Sequence, residues 1–177
     1  MKTKFIVLLS IVSVLIGCNK DKSEPAQPEA PKEEMGFKFS VNVVAKKDDT
    51  FSLFYTEDGT TNFTEPIWLA VKGSDSAQDV VFTLPEDAVP TQFRLDMGMS
   101  KDQEPMIING FKMSYRGKTF EVPGSDFYIY FDADKSKTIY DREKQTVTAV
   151  VKDGQRQYPS FYPNTAPLGE AIKKVMQ

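Results

Sequence analysis

The sequence predicts an all-β sandwich carrying one short C-terminal helix. Two observations carry that expectation. From Phe37 onward, apolar and polar residues alternate in short runs, and clusters of Gly, Pro, Asn and Asp separate those runs at fairly regular intervals. A third observation is the scarcity of helical spacing, which is confined to residues 167–177 and a single turn at residues 141–144.

The elements follow in chain order. Phe37, Phe39, Val41 and Val43 alternate with Lys38, Ser40 and Asn42, the period-two pattern of a strand with one buried face. Asp48-Asp49 marks a turn, and Phe51, Leu53 and Tyr55 repeat the alternation up to Glu57-Asp58-Gly59. Residues 67–71 and 80–84 are apolar runs on either side of Gly73-Ser74-Asp75-Ser76, and Pro85 and Pro90 bracket a polar loop. Phe93, Leu95 and Met97 alternate with Arg94 and Asp96. Met106, Ile108, Phe111, Met113 and Tyr115 belong to a longer strand kinked at Asn109-Gly110. Arg116-Gly117 is a tight turn into residues 119–122, and residues 127–131, aromatic and β-branched, read as another strand. Residues 147–151 lead through Asp153-Gly154, a strong hairpin dipeptide, into residues 155–158. Last, Leu168, Ala171, Ile172 and Val175 share one helical face, with Lys173 and Lys174 late in the helix where cations suit its dipole.

The N-terminal end has a different character. Lys2 and Lys4 precede an apolar run over residues 5–16, and Gly17 and Cys18 close it, the order of a secretory signal. The run is too short for a spanning helix, which needs about 20 apolar residues. Leu15-Ile16-Gly17-Cys18 resembles the lipobox of bacterial lipoproteins. That resemblance implies a signal peptide over residues 1–17, cleavage before Cys18 and lipidation of its sulfur, so that acyl chains such as palmitate hold the protein at a membrane. Cys18 is also the only cysteine, so it has no internal disulfide partner. Residues 18–35, with Pro25, Pro28 and Pro31 among Lys and Glu, read as a disordered tether, and residues 36–177 as one domain. Asn19 is not the aspartate associated with inner-membrane retention, so the resemblance favours a lipid-anchored outer-membrane location.

Composition narrows the function. Lys plus Arg is 22 against 25 for Asp plus Glu, a net charge of -3 with no basic patch, so nucleic acid is not an expected partner. There is no histidine, which excludes Ser-His-Asp and Cys-His nucleophilic machinery and the usual zinc sites. Paired carboxylates remain for hydrolysis, with Glu57, Asp58, Glu65, Asp96, Asp126 and Asp132 near strand ends, but nothing in the sequence pairs any two of them. The expectation is a non-enzyme.

The residues of 49–55, 62–65, 81–85 and 93–98, followed by Ile107-Ile108 and Phe111-Lys112-Met113, together resemble β-sandwich modules of the galactose-binding-domain type. The likeness spans residues 51–115 and implies a jelly-roll or galactose-binding-like sandwich. It also implies a non-catalytic binding role at the cell envelope, with glycan as the favoured ligand. Alternatives are an assembly accessory docking on an envelope protein partner and, more remotely, a carboxylate hydrolase. Candidate ligand-binding residues are Arg94, Asp96, Tyr115 and Tyr158. Phe93 and Leu95 are expected to face the core, leaving Arg94 and Asp96 outward on one side, where they either form a surface salt bridge or meet a ligand. Trp68, between Ile67 and Leu69, is expected in the core, while Tyr158, Phe161 and Tyr162 are expected to be partly exposed or to cover a sheet edge. Asp132, Asp134 and Glu143 have the acidic spacing of a calcium loop. Lys137 at the sixth position rules out an EF-hand and leaves either a looser calcium site or a solvated loop; otherwise no cofactor is expected. Asp75-Ser76-Ala77 fits a bacterial O-glycosylation sequon in a loop.

Overall fold

The computed structural model describes residues 36–177; the signal segment, Cys18 and the tether lie outside the described residues. Alternating burial begins at once. Strand β1 (Lys38–Val44) buries Phe39, Val41 and Val43, and β2 (Asp49–Thr56) buries Phe51 and Leu53. Strands β3 (Pro66–Val71), β4 (Gln78–Thr83) and β5 (Gln92–Asp96) follow, then the ten-residue β6 (Met106–Tyr115) and β7 (Lys118–Pro123). Short strands complete the set: β8 (Phe131–Ala133), β9 (Thr138–Asp141), β10 (Thr146–Ala149), β11 (Val151–Lys152), β12 (Gln155–Arg156) and β13 (Ser160–Pro163).

These strands form two principal antiparallel sheets. The first runs β4-β1-β6-β10-β9, with β7 also on β6, and the second runs β3-β2-β5-β13-β8. Their inner faces meet ring against ring. Phe37 and Phe39 lie 5.5 and 5.3 Å from Phe93, and Phe111 lies 5.5 Å from Phe131. Strands β11 and β12 make a separate hairpin. The chain is an all-β sandwich with a C-terminal helix, as its alternation predicts.

The predicted turns carry the backbone angles their residues favour. Arg116 and Gly117 have φ of 46° and 79°, and Asp153 and Gly154 of 51° and 74°, so each hairpin turns through two left-handed residues. The predicted kink in β6 is a β-bulge. Its register against β1 shifts after Asn42↔Gly110 to Val43↔Ile108, leaving Asn109 as the extra residue.

Three expectations are corrected. Residues 127–131 are not a strand: a 3₁₀ turn (Gly124–Asp126) runs into the one-turn helix α1 (Phe127–Tyr130), and only Phe131 begins β8. Phe127 and Phe131 are both buried and stack at 4.9 Å, which is i,i+4 helical spacing; Tyr128 and Ile129 face outward. Strand β9 was absent from the expected set. Phe161, expected near the surface, is fully buried in β13, an interior strand held between β5 and β8.

Helix α2 (Thr165–Met176) starts two residues earlier than its apolar pattern suggests. Pro167 is tolerated there because its position lies among the first-turn residues whose N–H groups have no helical partner. The helix buries Leu168, Ala171, Ile172 and Val175 and packs on β5 of one sheet and on β6 and β7 of the other, so it bridges the two layers.

Candidate functional site

The outward residues of the second sheet form two cross-strand rows. Register sets Trp68 opposite Ser52, Ser52 opposite Asp96, and Asp96 opposite Ser160. In the adjacent row Pro66 faces Phe54, Phe54 faces Arg94, and Tyr162 faces Asp132.

Arg94 is the centre of this face. Its Nε and Nη2 donate to the two carboxylate oxygens of Asp96 at 2.9 and 2.6 Å, a two-pronged pair. Its guanidinium carbon lies 4.7 Å from the ring centroid of Phe54 and 4.8 Å from that of Tyr162. Phe63, from the loop between β2 and β3, touches both rings, at 6.3 and 6.5 Å. Only 18% of the Arg94 side chain and 16% of Asp96 remain exposed. The two rings over the cation add about 0.5–2 kcal/mol of cation–π attraction to what an exposed pair would contribute. As expected, Phe93 and Leu95 are in the core beneath.

Trp68 corrects the sequence reading. It is 54% exposed, not buried. Ile67 and Leu69 pair with Leu53 and Phe51, whose side chains turn inward, so strict alternation sends the indole between them to the outer face. The sheet therefore presents one open aromatic surface beside a closed Arg–Asp pair.

The other predicted residues scatter. Tyr115 stands at the end of β6 in the opposite sheet, stacked at 6.2 Å on Phe37, and is no part of the Arg94 face. Tyr158 is exposed two residues before β13, its carbonyl accepting from Ser160 Oγ at 3.1 Å. Asp132 lies on the same face as Tyr162. Asp134 is engaged elsewhere: the Ser136 hydroxyl and N–H donate to its Oδ1 at 2.6 and 2.9 Å, and Lys137 is 3.8 Å away. The Ser136 hydroxyl, followed by its N–H and the Lys137 and Arg94 charges, holds that carboxyl below the usual aspartate range. Glu143 sits in the turn after β9, its N–H donating to Asp141 Oδ1 at 3.1 Å. The predicted calcium set does not converge, and among the described residues no three His, Cys, Asp or Glu side chains are grouped to hold a metal ion. Ser76 lies exposed in the loop between β3 and β4.

The chain matches no protein-family model, no curated protein and no solved structure. Its chemistry has to be read from its own atoms. Glu57, Asp58 and Glu65 line a shallow depression of about 530 Å³, where Asp58 accepts from the N–H and hydroxyl of Thr60 at 3.0 and 2.8 Å. Those bonds hold the Asp58 carboxyl low. The other displaced carboxyls, Asp48, Glu104 and Asp141, are also displaced downward by hydrogen bonds and lysines.

Phe54 and Phe63 are the residues that sequence reading missed on this face; Trp68 was expected in the core, and Tyr162 is partly exposed as expected. Phe54 left the same signal as Trp68: with Phe51, Leu53 and Tyr55 inward, alternation already turns it outward.

Proposed function

We propose that the chain is a non-catalytic binding module, held at the outer membrane by lipid on Cys18, and that the outer face of its second sheet takes a glycan. The single observation that carries this reading is Trp68, a large indole left open on a sheet face whose other rings are occupied by Arg94. An exposed indole stacks on the apolar face of a sugar ring, and the neighbouring polar row supplies partners for hydroxyls. Arg94 is already paired with Asp96 in a two-pronged bond, so the face offers no free cation at its centre for an anionic glycan and a neutral one suits it better. The rival role is an assembly accessory docking through a sheet edge or the C-terminal helix; its helix route has less support, since α2 spends its apolar face on the sandwich.

The test is a glycan array probed with the purified chain and with Trp68→Ala. Selective binding should weaken about two- to tenfold in the variant, in line with one lost aromatic contact, while its melting temperature stays that of the parent. Binding that is indifferent to Trp68 would remove this face from the proposal. For the anchor, Cys18→Ser should leave an uncleaved precursor; processing and membrane fractionation as before would end the lipoprotein reading.

A further inference from the structure

A further cavity lies at the side of the sandwich where each sheet ends. Strand β8 is the last strand of the second sheet and β9 the last of the first, so each keeps one unpaired edge. Between these strands and α1 opens a hollow of about 400 Å³, within the range of small-molecule sites. Tyr128, Phe131 and Tyr140 contribute rings to its wall, and Asp132, Lys135 and Arg142 contribute its charges.

The two cations are uncommitted. Arg142 rests over the Tyr128 ring, its guanidinium carbon 4.4 Å from the centroid, a contact that gives its N–H donors no acceptor. Burial raises the Tyr140 phenol and the Arg142 charge draws it back, so this cation acts on both tyrosines of the wall. The neighbouring carboxylates are engaged elsewhere. Asp134 accepts from the Ser136 hydroxyl and faces Lys137, while Asp141 accepts the N–H groups of Glu143 and Lys144 and has the Lys144 ammonium 3.6 Å away. Among the described residues, the side chains of Lys135 and Arg142 have neither a hydrogen-bond acceptor nor an ion-pair partner, and Asp132 has no side-chain donor. The hollow therefore holds two cations and one carboxylate, a net charge of +1, with all three groups open to a ligand.

That balance suits a monoanion better than a dianion. A guanidinium takes a carboxylate through two parallel N–H bonds. An ionised aspartate only accepts, so a ligand that satisfies Asp132 brings a hydroxyl of its own. We propose that this hollow is a second ligand site taking a sugar acid, with its carboxylate on Arg142 and Lys135 and one hydroxyl donated to Asp132. The inference does not rest on the glycan reading of Trp68, which sits on β3 at the opposite end of the second sheet.

Three probes test it: sodium D-glucuronate, D-glucose without the carboxylate, and cyclohexanecarboxylate without the hydroxyls. Each is titrated into the purified full chain and followed by amide NMR shifts. Glucuronate should bind saturably, shift the amides of α1, β8 and β9, and bind at least about tenfold tighter than either partial probe, the worth of one charge-assisted hydrogen bond. Arg142→Gln should weaken glucuronate by a similar factor and leave the melting temperature alone, since the side chain is exposed. Asp132→Ala should abolish the preference for glucuronate over cyclohexanecarboxylate. Trp68→Ala should leave glucuronate binding intact, which separates this site from the glycan face. Equal affinity for glucose would overturn the proposal, as would shifts centred elsewhere or no saturable binding of glucuronate. Sulfate competing as well as glucuronate would reduce the hollow to an unselective basic patch and overturn it too. Methyl β-D-glucuronide distinguishes the sources of the acid: retained binding assigns the site to a residue within a glycan chain, and lost binding assigns it to the free sugar acid.

Discussion

Asp49 shows how much one side chain organises. It is buried at the start of β2; its Oδ1 accepts the N–H groups of Thr50 and Ser100 at 2.7 and 2.8 Å, and its Oδ2 accepts Gln103 Nε2 at 2.8 Å. Gly98 lies against it at φ +74°, where a Cβ would stand 3.3 Å from Oδ2. One carboxylate thus ties the loop after β5 to the second sheet. Asp49→Ala should cost about 1–3 kcal/mol, measured by urea unfolding, and should speed amide exchange at Ser100. Unchanged exchange there would mean that the loop is held by something else. Arg94 and Asp96 were legible because residues two apart on a strand share a face. The rings around them were not. Phe54, Phe63 and Tyr162 come from two strands and a loop, and only strand pairing brings residue 54 beside residue 162.

Among the elements, the long regular ones were readable and the short ones were not. The α2 pattern was plain, since all four residues of its predicted apolar face are buried. Leu168→Ala should therefore cost about 2–5 kcal/mol, seen as a lowered unfolding midpoint, whereas Glu170→Ala on the exposed face should change it little. Comparable losses at both positions would contradict the face assigned to the helix. Residues 127–131 misled because aromatic and β-branched residues favour strands, while stacking of Phe127 on Phe131 at 4.9 Å with Ile129 exposed between them requires a helical turn. In β13, the three residues between Pro159 and Pro163 are too few for alternation to declare itself, although Phe161 packs against Phe127 at 5.2 Å in the interior.

At the scale of the whole molecule, the carboxyls of Asp48, Asp58, Glu104, Asp134 and Asp141 all lie below their usual range in the folded chain. Groups of this kind stabilise the fold above the unfolded value of about 4, and that contribution is lost as pH falls through the lower folded values. The unfolding midpoint should thus be flat near neutrality and decline below about pH 4, with less decline at high salt because these carboxyls are largely at the surface. A midpoint that rises on acidification would refute the assignment. The two-sheet architecture itself was legible, because alternation and turn chemistry both repeat along the chain; which strand lies beside which was not, because register depends on distant partners. Strand β6 makes that dependence concrete, pairing with β1 along one edge and with β7 and β10 along the other. A chain emerging in order delivers β1 early, yet Phe39 has to await Met113 before the first sheet has a centre. Such distant pairings slow folding and leave strand edges unpaired in the meantime. The tight Arg116-Gly117 hairpin shortens that wait by delivering β7 to β6 as soon as both have emerged.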